Sequence, residues 1–130
     1  MKLGYIIIYV NSVSEIIEFY EKSFGFKKKF IDTSGDYGEL DTGNTTLAFA
    51  SLALGEYNSG KKYFTPTNAK TKPFGIELAF TTEDIHLSHQ NAISVGASSV
   101  QEPMKKPWGQ TVSYIRSPEG TLIELCTPIE

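Results

Sequence analysis

Apolar and aromatic side chains fill residues 3–10, with three consecutive isoleucines at 6–8, the pattern of a strand packed on both faces. Ser12 followed by Glu15 is a capping-box arrangement, and Ile16, Ile17, Phe19 and Tyr20 then recur at helical spacing. Gly25 stops that helix near residue 24. Three short strands follow at 26–33, 36–42 and 45–50, separated by SGD and TGN turns. From about residue 51 to 73 the periodicity is lost in SLALGEYNSGKKYFTPTNAKTKP, which predicts an irregular crossover; its length also suits a flap over a site. A second round begins with a strand at 75–80 (GIELAF). A helix from Ile85 to Val95 ended by Gly96 comes next, then strands at 98–103, 111–117 and 121–127.

The order strand, helix, three strands thus occurs twice, although the two stretches share little sequence identity. The expectation is an α+β fold of two βαβββ modules, residues 1–52 and 74–130, joined by a crossover at 53–73 into one compact domain. Each module leaves one sheet face against its helix and the other needing cover, so two such sheets, mixed and curved toward each other, would enclose a cleft. The period of two places Tyr5, Ile7 and Tyr9 on one face of the first strand, Glu77 on one face of the fifth and Glu124 on one face of the last. If the more apolar faces meet the helices, both glutamates point to the concave side.

Composition narrows the function. In 130 residues, 40% are hydrophobic and 21% charged, ordinary for a globular protein, and the formal net charge of −3 opposes attraction to nucleic acid or anionic membrane. Lys27, Lys28 and Lys29 read as a solvated turn. Cys126 is the lone cysteine, which excludes an intrachain disulfide and a cysteine-rich metal site and fits a reducing, cytoplasmic setting. No run approaches the roughly 18 apolar residues of a membrane span, and the start of the chain lacks the pattern of a secretion signal. No glycine-rich loop leads into a helix to hold phosphate, so no nucleotide cofactor is expected.

Three stretches, YVNSVSEIIEFYEKSFGF (9–26), ELAFTTEDI (77–85) and PWGQTVSYIRSPEGTLIEL (107–125), together resemble the vicinal-oxygen-chelate superfamily. This group comprises glyoxalase I, extradiol dioxygenases, fosfomycin-resistance enzymes and bleomycin-binding proteins, and the match is most like the bleomycin-resistance-type binders. The resemblance implies the two βαβββ modules and, in metal-dependent members, a divalent cation held by one residue from the first and fourth strands of each module. Those positions are occupied here by Tyr5, Ala48, Glu77 and Glu124. Ser117 stands where the family usually has Asp, a departure that bears on the turn closed by Pro118 and Gly120 rather than on chemistry. Ala48 supplies no ligand and neutral Tyr5 a poor one, so no metal is expected; Glu77 and Glu124 are the pair that a weakly bound divalent cation would use.

The residues expected to bind a ligand are Tyr5, Tyr9, Ala48, Glu77, Trp108 and Glu124. Glu77 and Glu124 are an acid/base pair, an anchor for a cation, or members of a structural network. Trp108, between Pro107 and Gly109, offers a ring for a planar or cationic ligand, or else a dimer contact or core plug. Tyr5 and Tyr9 line the cleft or fill a core. Tyr57, Lys61, Lys62, Tyr63 and Phe64 in the crossover read as a basic loop with an aromatic staple. Cys126 reads as buried filler, and His86 and His89 as solvated positions on a surface helix. The function these residues support is sequestration of a cationic or partly planar small molecule, without chemistry, at or near a homodimer interface. The alternative is a lyase, isomerase or oxygenase using Glu124, with Glu77, as base or in a weak divalent-metal site.

Overall fold

A computed structural model describes residues 1–60 and 63–129; Lys61 and Lys62 of the crossover, and Glu130, lie outside the described residues. The chain divides into two compact units, Met1–Thr67 and Asn68–Glu130. The first contains β1 (Tyr5–Val10), α1 (Val13–Phe24), β2 (Lys27–Ile31), β3 (Tyr37–Asp41), β4 (Thr46–Ser51) and α2 (Leu52–Ser59). The second contains β5 (Glu77–Thr81), α3 (Ile85–Val95), β6 (Ser98–Lys105), β7 (Thr111–Arg116) and β8 (Leu122–Cys126). Each unit has one four-stranded sheet, ordered β1-β4-β3-β2 in the first and β5-β8-β7-β6 in the second. The β1/β4 and β5/β8 pairs are parallel and the others antiparallel, which makes both sheets mixed.

In the first unit the Ser12 side chain accepts from Glu15 N at 3.4 Å, and Gly25, at φ 75°, closes the far end of α1. The apolar stripe of α1 rests on the sheet: the Tyr20 and Phe49 rings lie 4.8 Å apart, and Ile17 sits directly over Gly38. A β-carbon at Gly38 would strike Ile17 and come within 3.2 Å of the Phe30 carbonyl, so the absent side chain is what lets the helix approach. Ile6 and Ile8 are level with Leu47 and Phe49 and share their helix side, which leaves Tyr5, Ile7 and Tyr9 level with Thr46, Ala48 and Ala50 on the opposite face.

The segment read as irregular from residue 51 opens with a helix, α2. Its sequence LALGEYNS has no amphipathic period to announce it, because only Gly55 is buried. Ser51 caps it, accepting from Leu54 N at 3.0 Å. Gly55 lies against the Tyr9 ring, and Phe64 stacks on that ring with centroids 4.4 Å apart and planes at 17°. Tyr9 is therefore half-buried under its own crossover.

In the second unit Asp84 caps α3 through Leu87 N at 3.1 Å, and Ile85, His89 and Ala92 form its buried face. His89 corrects the expectation of a solvated side chain: it is 2% exposed. Its Nδ1 is 2.9 Å from Ser113 Oγ and its Nε2 is 2.9 Å from Ser99 Oγ. An imidazole fits inside because two hydroxyls satisfy both ring nitrogens. His86 is exposed, as expected. At the β7–β8 turn Ser117 is buried, its Oγ accepting from Thr121 N at 3.0 Å, so a hydroxyl does the turn-closing work there. Gly120, at φ 99°, passes so close to the Asn68–Ala69 backbone that a β-carbon would lie 2.7 Å from Ala69 N. Arg116 ties the same region together, donating from Nε to Gly120 O, from Nη1 to Thr71 O and from Nη2 to Asn68 O, each at 2.9 Å. Among the described residues no helix is long and apolar enough to cross a membrane.

Candidate functional site

The face of the second sheet opposite α3 carries the two glutamates. Register sets the arrangement: Glu124 on β8 is level with Ala79 on β5 and with Tyr114 on β7, and Glu77 stands two residues before Ala79 on the same face. Ala79 contributes only a methyl group, which leaves room for the two carboxyl groups to meet. Glu124 and Glu77 hydrogen-bond each other. Burial, that hydrogen bond and the charge of Glu77 hold the Glu124 carboxyl above its ordinary range, while Lys106 pulls weakly the other way. A raised Glu124 pKa means that this carboxyl gives up its proton at higher pH than an isolated glutamate would.

Neighbouring groups feel the same field. Burial, then the charges of Glu124 and Glu77, push the Tyr114 phenol up. They do the same to the Cys126 thiol, which keeps it protonated and inert as a nucleophile. Cys126 is buried, in keeping with a filler role. Arg116 shares this sheet face, but three of its five N–H groups donate to peptide carbonyls. Acid groups beside a protonated phenol, with one lysine at the margin, form a surface that accepts hydrogen bonds and favours positive charge.

In the first unit the corresponding face holds Tyr5, 58% exposed, and Ala48, fully buried. Next to Ala48 in register is Glu39. Its carboxylate accepts from the Tyr37 hydroxyl at 2.8 Å and has Lys29 Nζ at 3.8 Å. Burial, followed by Glu39, pushes the Tyr37 phenol well above the usual tyrosine range. This acid is neutralised locally, unlike the pair in the second unit.

Trp108 lies elsewhere in the second unit. It is 66% exposed and lines a concavity of about 550 Å³ with Glu83, Gly109, Gln110, Thr127, Pro128 and Ile129. Neither Glu77 nor Glu124 lines that concavity. Tyr114, Lys106, Glu83 and the Tyr37–Glu39 pair were not singled out by the sequence. Strict alternation along TVSYIRS would have placed Tyr114 with Arg116, but its pairing with Glu124 required the β7–β8 register.

The donor set fits a tightly bound metal poorly. Among the described residues no group of three or more His, Cys, Asp or Glu side chains is placed to hold an ion. At the positions discussed above, Ala48 has no donor atom and the Tyr5 phenol is a weak ligand while protonated. Glu77 and Glu124 alone would leave most of a cation's shell to water.

These features belong to one superfamily. Residues 2–125 match the Glyoxalase/Bleomycin resistance protein/Dioxygenase superfamily, and the chain is a member of it. It is 27% identical over 127 residues to "Uncharacterized protein YraH" of Bacillus subtilis (strain 168), a match covering 96% of this chain and 97% of that one. The fold resembles that of a glyoxalase-related enzyme from Fulvimarina pelagi, with a TM-score of 0.84, 15% identity, and coverage of 98% of this chain and 88% of the other. It also resembles a glyoxalase/bleomycin resistance protein/dioxygenase family enzyme from Burkholderia phytofirmans PsJN, with a TM-score of 0.83, 18% identity, and coverage of 99% and 100%.

Proposed function

We propose that this protein is a binder of the bleomycin-resistance type, which holds a cationic, partly planar small molecule on the glutamate face of its second unit without making or breaking a bond. The observation that carries this reading is the placement of Glu77 and Glu124 on one sheet face, with Tyr114 level with Glu124. An incoming ammonium group replaces the proton on Glu124: its N–H groups donate to both carboxylates, and the Tyr114 ring supplies a flat apolar wall. Binding therefore releases a proton below the raised Glu124 pKa, and affinity climbs with pH until the pair is fully ionised. The Cys126 thiol, pushed up by burial and by the two glutamates, is not activated as a nucleophile on this face.

The same raised Glu124 favours one other reading, an enzyme in which this residue acts as general acid or base near neutral pH. Titration calorimetry with benzylamine separates the two. Sequestration predicts saturable binding with proton release, detected as a buffer-dependent enthalpy that fades as pH rises, and loss of about tenfold or more in affinity in Glu124→Gln. Binding that ignores both Glu124→Gln and Glu77→Gln defeats the assignment.

A homodimer forms part of the proposal. Leu3, Tyr5, Ile6 and Ile7 at the edge strand β1 are all more than a third exposed, an apolar border that a second copy would cover. Light scattering on the purified chain reads the mass directly, and a monomer at every concentration removes this part.

A further inference from the structure

On the α3 side of the second sheet a hydroxyl, an imidazole and a second hydroxyl stand in line. Ser99, on the outer strand β6, brings its Oγ to 2.9 Å from His89 Nε2, and the other ring nitrogen, Nδ1, lies 2.9 Å from Ser113 Oγ on β7. The three differ in access: Ser99 is exposed, whereas His89 and Ser113 are buried. Two hydroxyls account for a histidine inside the fold, but nothing in that packing requires one of them to face solvent. An accessible hydroxyl bonded to a base, with the far nitrogen of that base held by a third group, is the arrangement that activates a nucleophilic serine.

The proton has a defined route through these groups. With the ring proton on Nδ1, that N–H donates to Ser113 Oγ and fixes the ring, and Nε2 accepts from Ser99. Attack by Ser99 Oγ on an ester carbonyl sends the hydroxyl proton to Nε2. The leaving alcohol takes that proton as its C–O bond breaks, and the acyl group stays on Ser99 until water removes it. The imidazolium formed on the way has a counter-charge in place, since Glu102 Oε2 is 3.5 Å from Nε2. Glu102 Oε1 also accepts from Ser99 at 3.3 Å, but this contact is longer than the 2.9 Å to the ring, and the carboxylate, 78% exposed, is well hydrated without it. The register shift between Ser99 and Gln101 sets a bulge beside Ser99, and an outer strand turns main-chain N–H groups toward solvent, where they can receive the oxyanion.

We propose that Ser99 is a nucleophilic serine that takes the acyl group of small activated esters, with His89 as its general base and Ser113 as the positioning residue, at a site apart from the glutamate face. The probe is 4-nitrophenyl acetate, given in excess to the full chain, with the acetylated positions read by peptide mass spectrometry after an acid quench. Ser98, exposed on the same strand, is a control within every sample. The expected result is acetylation of Ser99 about a hundredfold faster than of Ser98, the lower end of what a positioned base supplies. His89→Gln should remove that advantage and leave Ser98 unchanged. Ser113→Ala, which takes away only a hydroxyl, should lower the Ser99 rate about fivefold or more in a chain whose circular dichroism matches the parent. Equal rates at Ser98 and Ser99 in the parent chain overturn the proposal, as does a Ser99 advantage that survives both substitutions.

Discussion

Glu124 and Glu77 stand on one face of two adjacent parallel strands, and burial, followed by the Glu77 carboxyl, holds the Glu124 carboxyl above its ordinary range. The folded-state pKa of Glu124 is raised, so the unfolded chain ionises first as pH climbs out of the ordinary carboxylate range, about 4.3. Between that range and the raised value the folded state binds more protons, and stability falls with rising pH; below the window the contribution vanishes, and above it the penalty is constant. Glu124→Gln removes the titration. Thermal melts should show the variant matching the parent near pH 4 and exceeding it by roughly 2–5 °C near pH 8. Parallel curves across the whole range would show that the pair does not titrate together.

Divalent ions should do little. Among the described residues no group of three or more His, Cys, Asp or Glu side chains is placed to hold an ion, so Mn²⁺, Ni²⁺ or Zn²⁺ at about 1 mM should raise the melting temperature by less than about 1 °C. A rise of several degrees that disappears in Glu124→Gln would move the protein to the enzyme reading.

The 68–71 segment depends on Arg116 and on a glycine. Lysine at 116 cannot reproduce three planar N–H bonds to three carbonyls, so Arg116→Lys should cost about 2–3 kcal/mol in urea unfolding and speed protease cleavage within that segment. Gly120→Ala combines a strained φ of 99° with a backbone collision and should cost about 2–4 kcal/mol. Unchanged unfolding midpoints in both would show the segment to be loosely held.

His89 is buried, and its removal separates stability from amine binding. His89→Ala leaves the buried Ser113 hydroxyl without its partner and opens a cavity, for a loss of about 2–4 kcal/mol by urea titration. The benzylamine affinity measured by calorimetry should stay within about twofold of the parent, since the ring lies on the helix side of the sheet. A parallel fall in affinity would tie this network to the ligand face.

Much of the fold was legible because local chemistry announces it. Ser12, Gly25 and Gly96 mark helix ends, and the alternation in GIELAF and TLIELCT put Glu77 and Glu124 on one face before any register was known. α2 was not legible, since a helix that buries a single glycine has no stripe to detect. Ile85, His89 and Ala92 have helical spacing, yet the polarity of His89 argues for solvent; the hydroxyls that satisfy its ring nitrogens, Ser99 and Ser113, lie 10 and 24 residues away in sequence. Glu83 went unnoticed for a similar reason. It reads as an ordinary turn residue until Thr127, Pro128 and Ile129 come up beside it.

The contact between Gly120 and the Asn68–Ala69 backbone also decides where this chain can be lengthened. Peptide grafted between Ser117 and Thr121 would meet main chain at once, whereas Gly43, in the β3–β4 hairpin, has open space beyond its α-carbon. A peptide tag or new chain termini therefore belong at that hairpin, where no neighbouring atom crowds the backbone at Gly43.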